Sequence, residues 1–259
     1  MLAFPSSSEE QSSRETDFSD TCRKNIFPGF PLLALVISGG HTQILYMREH
    51  NHFEIIGTTY DDAVGECLDK AAKILGLPYP GGPSISKAAL GEIIDAETGE
   101  ITKVTPGDRH KYAFPHPHLN NPLDFSFSGL KTAFLRTVQK IVNVPISHPS
   151  ADLKNLLNSQ QIADLAASFE QSVVDILLEN LQKACKMHPE VKNVVFAGGV
   201  SANNLLRQEA KNISCFFPLL KYAGDNAAMV TAACYFEVQS DVQPTDPYSL
   251  NILPRSAIS

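Results

Sequence analysis

Three apolar, β-capable runs follow one another at about 32–38, 42–48 and 53–59. Each has the length of a strand and only turn residues part it from the next, which predicts a three-strand meander. The period then lengthens. A helix is predicted over 61–76, with Asp61 or Asp62 as its cap and Gly76 and Pro78 at and beyond its end. On it Glu66 and Lys70 stand four apart, the spacing of a surface ion pair. The stretch from about 91 to 127 sustains no period and carries many Pro and His residues, as an insertion looping from a core would. A helix over 129–142 follows. Between 160 and 187, Ile162, Leu165, Phe169, Val173, Ile176 or Leu177, and Leu181 recur on one face, which predicts a long helix with a buried side. A strand at 192–197, a Gly-Gly turn, a helix at 202–210, a short strand near 214–218 and a helix at 225–237 complete an α/β unit over 31–238. Residues 1–30 are polar and acidic enough to be expected as a disordered lead, and 239–259, with three prolines, as a loose tail.

Composition narrows the function classes. With 259 residues, 43% of them apolar, the chain can build one large or two small cores. Its longest apolar stretches, such as Phe30 to Ile37, are too short to span a bilayer, so no membrane partner is expected. Five cysteines, Cys22, Cys67, Cys185, Cys215 and Cys234, show no paired spacing and no C-x-x-C, which argues against disulfides and a structural zinc. The net charge of −7 argues against a broad nucleic-acid footprint, so an RNA substrate would need a local patch or a partner to hold it. The acidic lead is unlike an Arg-rich mitochondrial transit peptide.

Several short motifs carry candidate chemistry, each beside a plainer reading. Ser38-Gly39-Gly40-His41-Thr42 joins two strands, and its tip can either bring backbone N–H groups to a phosphate or simply turn a hairpin. In Gly198 to Asn203 (GGVSAN), two glycines between a buried strand and a helix allow close approach of a ligand; the competing reading is a tight turn with Ser201 as N-cap. Asp62, Glu66 and Asp69 share a helix face, which spacing alone reads as solvated and acidic. Tyr79 to Pro83 (YPGGP) reads as a Pro-Gly turn. Asp225 begins the last helix, where a lone aspartate is most often an N-cap.

Taken together and in order, SGGHT, DDAVGECLDKAAKILGLPYPGGP (61–83), DFSFSGLKT (124–132), FAGGVSANNLLR (196–207) and GDNAAM (224–229) closely resemble the TsaD family of tRNA N6-adenosine threonylcarbamoyltransferases. The resemblance runs from about Pro31 to Tyr235. It implies an α/β fold of the actin/Hsp70-like (ASKHA, ribonuclease H-like) ATPase type, here the C-terminal lobe of a two-lobe fold with an inserted segment. It implies transfer of the threonylcarbamoyl group from threonylcarbamoyl-AMP to N6 of adenosine 37 in tRNAs reading codons that begin with A.

Carried over residue by residue, the resemblance places substrate contacts at Val36, Ile37, Ser38, Gly39 and Gly40, at Asp69 for a ribose hydroxyl, and at Gly82 and Asn203 for the adenosine. It places a divalent metal ligand, for Fe2+ or Zn2+, at Asp225. Implied partners are tRNA, a paralogous scaffold subunit and a small ATPase, in a bacterial-style cytoplasm or, alternatively, in mitochondria. The chain also departs from the pattern. Many relatives carry an acidic contact four residues after Gly82, where Ser86 stands here. The family's metal site is completed by an H-x-x-x-H pair from an N-terminal lobe, whose place before SGGHT is taken here by the polar lead. None of the eight histidines has another four positions away. The alternative reading is therefore a truncated, non-catalytic nucleotide-binding or scaffold lobe. A sugar or acetate kinase of the same topology would need a catalytic acid and sugar-binding blocks that are not found.

Overall fold

The computed structural model describes residues 28–239. All of the expected lead except Pro28 to Phe30, and all of the expected tail except Gln239, lie outside the described residues. The meander forms as β1 (Leu32–Ile37), β2 (Thr42–Glu49) and β3 (His52–Thr58), antiparallel throughout, with Ile37 opposite Thr42 at the first turn. The later strands β6 (Asn193–Ala197) and β7 (Cys215–Phe216) join the same sheet in parallel with β1, giving the order β3-β2-β1-β6-β7. A meander extended by parallel crossover strands is the arrangement expected of an actin/Hsp70-like lobe.

Alternation along β1 assigns its side chains. Leu33, Leu35 and Ile37 enter the main core, while Leu32 and Ala34 join Leu45 on the opposite face. Because β1 and β6 run parallel in adjacent positions, their C-terminal ends lie side by side. The two Gly-Gly motifs that follow them, far apart in sequence, therefore share one edge of the sheet. Open α/β sheets place ligands at that edge.

The first helix, α1 (Val64–Ile74), starts later than expected and neither aspartate caps it. Its N-cap is Ala63, and the Val64 N–H donates to the buried hydroxyl of Thr42, 2.9 Å away, on the neighbouring strand. Asp61 caps a different helix. Its Oδ1 accepts from the N–H groups of Phe127 at 2.8 Å and Ser128 at 3.3 Å, and its Oδ2 from the Ser126 hydroxyl at 2.6 Å. These residues open α3 (Ser128–Ile141), whose own N-cap, Phe127, has no side-chain oxygen to offer. The expected Glu66–Lys70 pair forms at 2.9 Å, and Asp62 joins it at 2.6 Å.

The Pro-Gly segment opens a helix, α2 (Gly81–Ala89), that the turn reading missed. The segment after it, from 91 to 127, contains a short hairpin of β4 (Glu92–Ile94) and β5 (Ile101–Lys103). It then lies along the long helix α4 (Ser159–Met187). The Asp108 N–H donates to Asp164 Oδ1 at 3.0 Å, and the Ser168 hydroxyl to the Asp108 carbonyl at 2.8 Å. Asn158 and Gln161 form a reciprocal capping box at the start of α4. The expectation of one buried face is too narrow, because Asp164, Ser168, Glu170, Gln171 and Asn180 are buried as well. Their polar atoms meet partners from the surrounding segments, which makes an all-round burial affordable for a polar helix.

The end of the chain departs from expectation in two places. The predicted helix at 202–210 is a 3-10 turn over Gly199–Ala202 followed by α5 (Asn204–Glu209), because Asn203, and not Ser201, is the N-cap. Ser201 is fully buried. The last helix, α6 (Ala227–Gln239), is capped by Asn226, whose Oδ1 accepts the Met229 N–H at 3.0 Å, so Asp225 does not start it. None of the α6 side chains is buried although nearly all are apolar. No helix among the described residues is long and apolar enough to cross a membrane.

Candidate functional site

At the carboxyl ends of β1 and β6, the two glycine motifs divide their work between packing and access. In the first, Ser38 Oγ accepts from the N–H groups of Gly40 at 3.2 Å and His41 at 3.0 Å, while the Ser38 N–H donates to the His41 carbonyl at 2.8 Å. The loop therefore closes largely upon itself. The expected cradle of outward N–H groups is reduced, since those two are already engaged. A missed residue, Gly65 at the start of α1, backs the loop: its N–H donates to the Ser38 carbonyl at 3.1 Å, and a Cβ there would lie 2.8 Å from that oxygen and 2.9 Å from Gly39 Cα. In the second motif Gly198, at φ +88°, would drive a Cβ into the Ile37 carbonyl. Cβ atoms at Gly39, Gly40 and Gly199 would meet nothing within 4 Å.

In front of this edge lies a cavity of about 490 Å³. It is lined by Gly39 and Gly199, by Gly65, Leu68 and Asp69 of α1, by Gly82 and Ser86 of α2 with Leu90 just beyond it, and by Asn203. Of the residues singled out from sequence, Gly39, Asp69, Gly82 and Asn203 thus converge on one space. Val36, Ile37, Ser38 and Gly40 stand in the strand and loop beside it and are not part of its wall. Tyr79 and Leu90, both strongly exposed, line it as well; Tyr79 opens the YPGGP run that spacing read as a turn, and Leu90 belongs to no motif.

Asp69 leaves the acidic face to which spacing had assigned it. Its Oδ1 accepts the Gly81 N–H at 2.6 Å, so one carboxylate oxygen anchors the first turn of α2. The two adjacent glycines there differ. A Cβ on Gly81 would collide with Asp69 Cα and come within 2.8 Å of the Leu68 carbonyl, whereas one on Gly82 would find only Leu68 Cδ1, at 3.7 Å. Gly81 is needed for helix–helix contact, and Gly82 is the one at the cavity.

Behind the wall sits a polar cluster. Glu170 of α4, with its side chain 3% exposed, accepts from the Ser86 hydroxyl at 2.5 Å, from Asn203 Nδ2 at 2.8 Å and from Arg109 Nη1 at 2.9 Å. Asn203 Oδ1 meanwhile accepts the Leu206 N–H at 2.9 Å. Nearby, burial pushes the Cys67 thiol up to about 12, which makes it inert at neutral pH.

Asp225 does not join the cavity wall. It is exposed, and no group of three or more His, Cys, Asp or Glu side chains among the described residues could hold an ion. The donors among the described residues do not by themselves make an Fe2+ or Zn2+ centre at Asp225, which would require further ligands.

Comparison with known proteins now decides the family. The family model described as TsaD, tRNA N6-adenosine threonylcarbamoyltransferase, matches residues 20–232. The chain belongs to the TsaD family. Curated proteins of that name resemble it along most of its length. The one from Symbiobacterium thermophilum is 40% identical over 233 residues, which is 88% of this chain and 59% of the relative. Those from Christiangramia forsetii and Thermosipho africanus are 43% and 42% identical, covering 80% and 79% of this chain and 55% of each relative. This TsaD-family chain therefore spans somewhat over half the length of the curated relatives it matches. With family membership, the sheet order described above is that of an ASKHA-type lobe.

Proposed function

We propose that this chain supplies the nucleoside-binding lobe of a tRNA N6-adenosine threonylcarbamoyltransferase, which moves the threonylcarbamoyl group from threonylcarbamoyl-AMP to N6 of adenosine 37 in tRNAs reading codons that begin with A. The observation that carries the reading is the convergence of Gly39, Asp69, Gly82 and Asn203 on one cavity of about 490 Å³, a volume suited to a nucleoside. Leu68, Tyr79, Pro83 and Val200 give it apolar walls for a base. Asp69 keeps Oδ2 for a ribose hydroxyl while Oδ1 holds Gly81. The open faces of Gly39 and Gly199 admit the phosphate end. In the transfer, N6 forms a bond to the carbamoyl carbon as its bond to the phosphate oxygen breaks; AMP leaves with that electron pair and N6 sheds a proton. The chain's contribution is positioning.

No step is drawn through a metal on this chain, given the donor set around Asp225. A net charge of −7 leaves tRNA to be held by a local patch or by partners, of which a paralogous scaffold subunit and a small ATPase are the proposed ones. A cytoplasmic setting, with mitochondria as the alternative, belongs to the same proposal. The test is transfer of labelled threonylcarbamoyl to unmodified tRNA by the purified chain, with and without a separately supplied N-terminal lobe. Activity that depends on the added lobe supports the reading. The second reading, a non-catalytic nucleotide-binding or scaffold lobe, is favoured by the incomplete donor set at Asp225. Bound adenylate without transfer under both conditions would select it.

A further inference from the structure

The buried Glu170 gathers three hydrogen bonds, two of them from residues that line the cavity. Its carboxylate is 3% exposed and accepts from Ser86, Asn203 and Arg109 at 2.5, 2.8 and 2.9 Å. Two of these donors, Ser86 and Asn203, belong to the cavity wall. The third comes from the 91–127 segment and supplies the charge that a buried carboxylate needs.

The orientation of the Asn203 amide follows from these partners. One end faces the Leu206 N–H at 2.9 Å, the other faces Glu170 Oε1 at 2.8 Å and Ser86 Oγ at 3.2 Å. A reversed amide would set Oδ1 against a carboxylate oxygen and Nδ2 against an N–H group, two repulsive contacts in place of two attractive ones. Nδ2 is thus turned to the buried carboxylate, its two acceptors being themselves only 2.5 Å apart. Oδ1, which uses one lone pair on Leu206, keeps another.

We infer that Glu170 is the positioning residue of Asn203, locking its amide with Nδ2 on the buried carboxylate and leaving the second lone pair of Oδ1 as the acceptor for the cavity. A ligand group that meets Oδ1 must itself donate, as an exocyclic amine or a ribose hydroxyl of a nucleoside does; this identification of the ligand rests on the nucleoside reading above. Ser86 takes part by donating its single hydroxyl proton to the same carboxylate and accepting from Asn203. Arg109 couples the 91–127 segment to the site through the other oxygen, Oε2.

The experiment follows the Asn203 side-chain amide by 15N–1H NMR of the full chain, its resonance pair assigned by its loss in Asn203→Ala. In the unaltered protein one Nδ2 proton is expected downfield, as one bonded to a carboxylate is. Glu170→Gln preserves volume but offers Nδ2 at best a neutral amide oxygen, a weaker acceptor than a carboxylate, so the signal should leave its downfield position. AMP, titrated into the same samples, should bind about tenfold more weakly, the equivalent of one oriented hydrogen bond. Glu170→Asp, which keeps the charge and withdraws it by one methylene, should also lose the downfield signal and serves if the glutamine variant does not fold. Unchanged Asn203 resonances in either variant overturn the inference, as does an AMP affinity within twofold of the parent once the resonances have moved. Failure of the unaltered chain to bind AMP would instead count against the nucleoside reading, while the resonances still decide the role of Glu170.

Discussion

Alanine at Gly81 and alanine at Gly82 should have opposite consequences although the two positions are adjacent. At Gly81 the new methyl group meets the body of the facing helix: Asp69 Cα and, at 2.8 Å, the Leu68 carbonyl, both backbone, and the Ala72 methyl at 2.9 Å. None of these is the end of a flexible side chain, so α1 and α2 must separate. Overpacking of this kind costs about 1 to 3 kcal/mol, and separation also stretches the 2.6 Å bond from the Gly81 N–H to Asp69, worth roughly 1 kcal/mol or more. The expected loss for Gly81→Ala is about 2 to 4 kcal/mol. At Gly82 the nearest atom is Leu68 Cδ1 at 3.7 Å, ordinary contact distance, so Gly82→Ala should change stability by no more than about 0.5 kcal/mol while placing a methyl group at the cavity. Urea unfolding followed by far-UV circular dichroism reads the first effect, and AMP titration reads the second. Equal destabilisation by the two substitutions would refute the assignment of packing to one glycine and access to the other, as would a Gly82→Ala protein that binds AMP as tightly as its parent.

Three further outcomes follow from the same contacts. Asp61→Ala removes the acceptor of two N–H groups and one hydroxyl at the start of α3 and should cost about 1 to 2 kcal/mol in urea unfolding; a neutral substitution would show that the cap is dispensable. Burial alone would raise the Asp164 carboxyl, but hydrogen bonds from Lys111, the Asp108 N–H and Gln160 outweigh it and hold the group below its ordinary value. Its stabilisation is therefore present above about pH 4 and lost as pH falls through the folded value, so the stability gap between the parent and Asp164→Asn should shrink on acidification, and a gap that widens would contradict the sign. The exposed apolar surface of α6, including Val230, Tyr235 and Val238, should drive association that Val230→Glu weakens; sedimentation velocity showing a monomer at micromolar concentration for the parent would contradict this.

Much of the fold was legible because it rests on short-range patterns. The three strands of the meander begin and end within one residue of expectation, since alternation and turn residues specify them locally. The long helix at 159–187 also matches its expected span, but its all-round burial does not follow from apolar period, because Asp164, Ser168 and Glu170 look like solvent residues until their partners are known. The helix at 81–89 escaped notice because Gly-Gly-Pro is poor helix material by propensity, and tertiary contact with Asp69 outweighs that. Asp225 illustrates the opposite case: the resemblance pointed to a metal, and among the described residues no group of three or more His, Cys, Asp or Glu side chains forms around it.

The sequence by itself determined the meander, the long helix and the closing strands and helices, the residue types at the cavity and the family, all of which are encoded in period, turn chemistry and contiguous motifs. The tertiary structure alone decided which of those residues meet. Asp61 caps a helix that starts 67 positions later, and Glu170 orients an asparagine 33 positions away. A hydrogen bond between distant residues depends on how sheet and helices pack, and packing has no periodic trace in the chain.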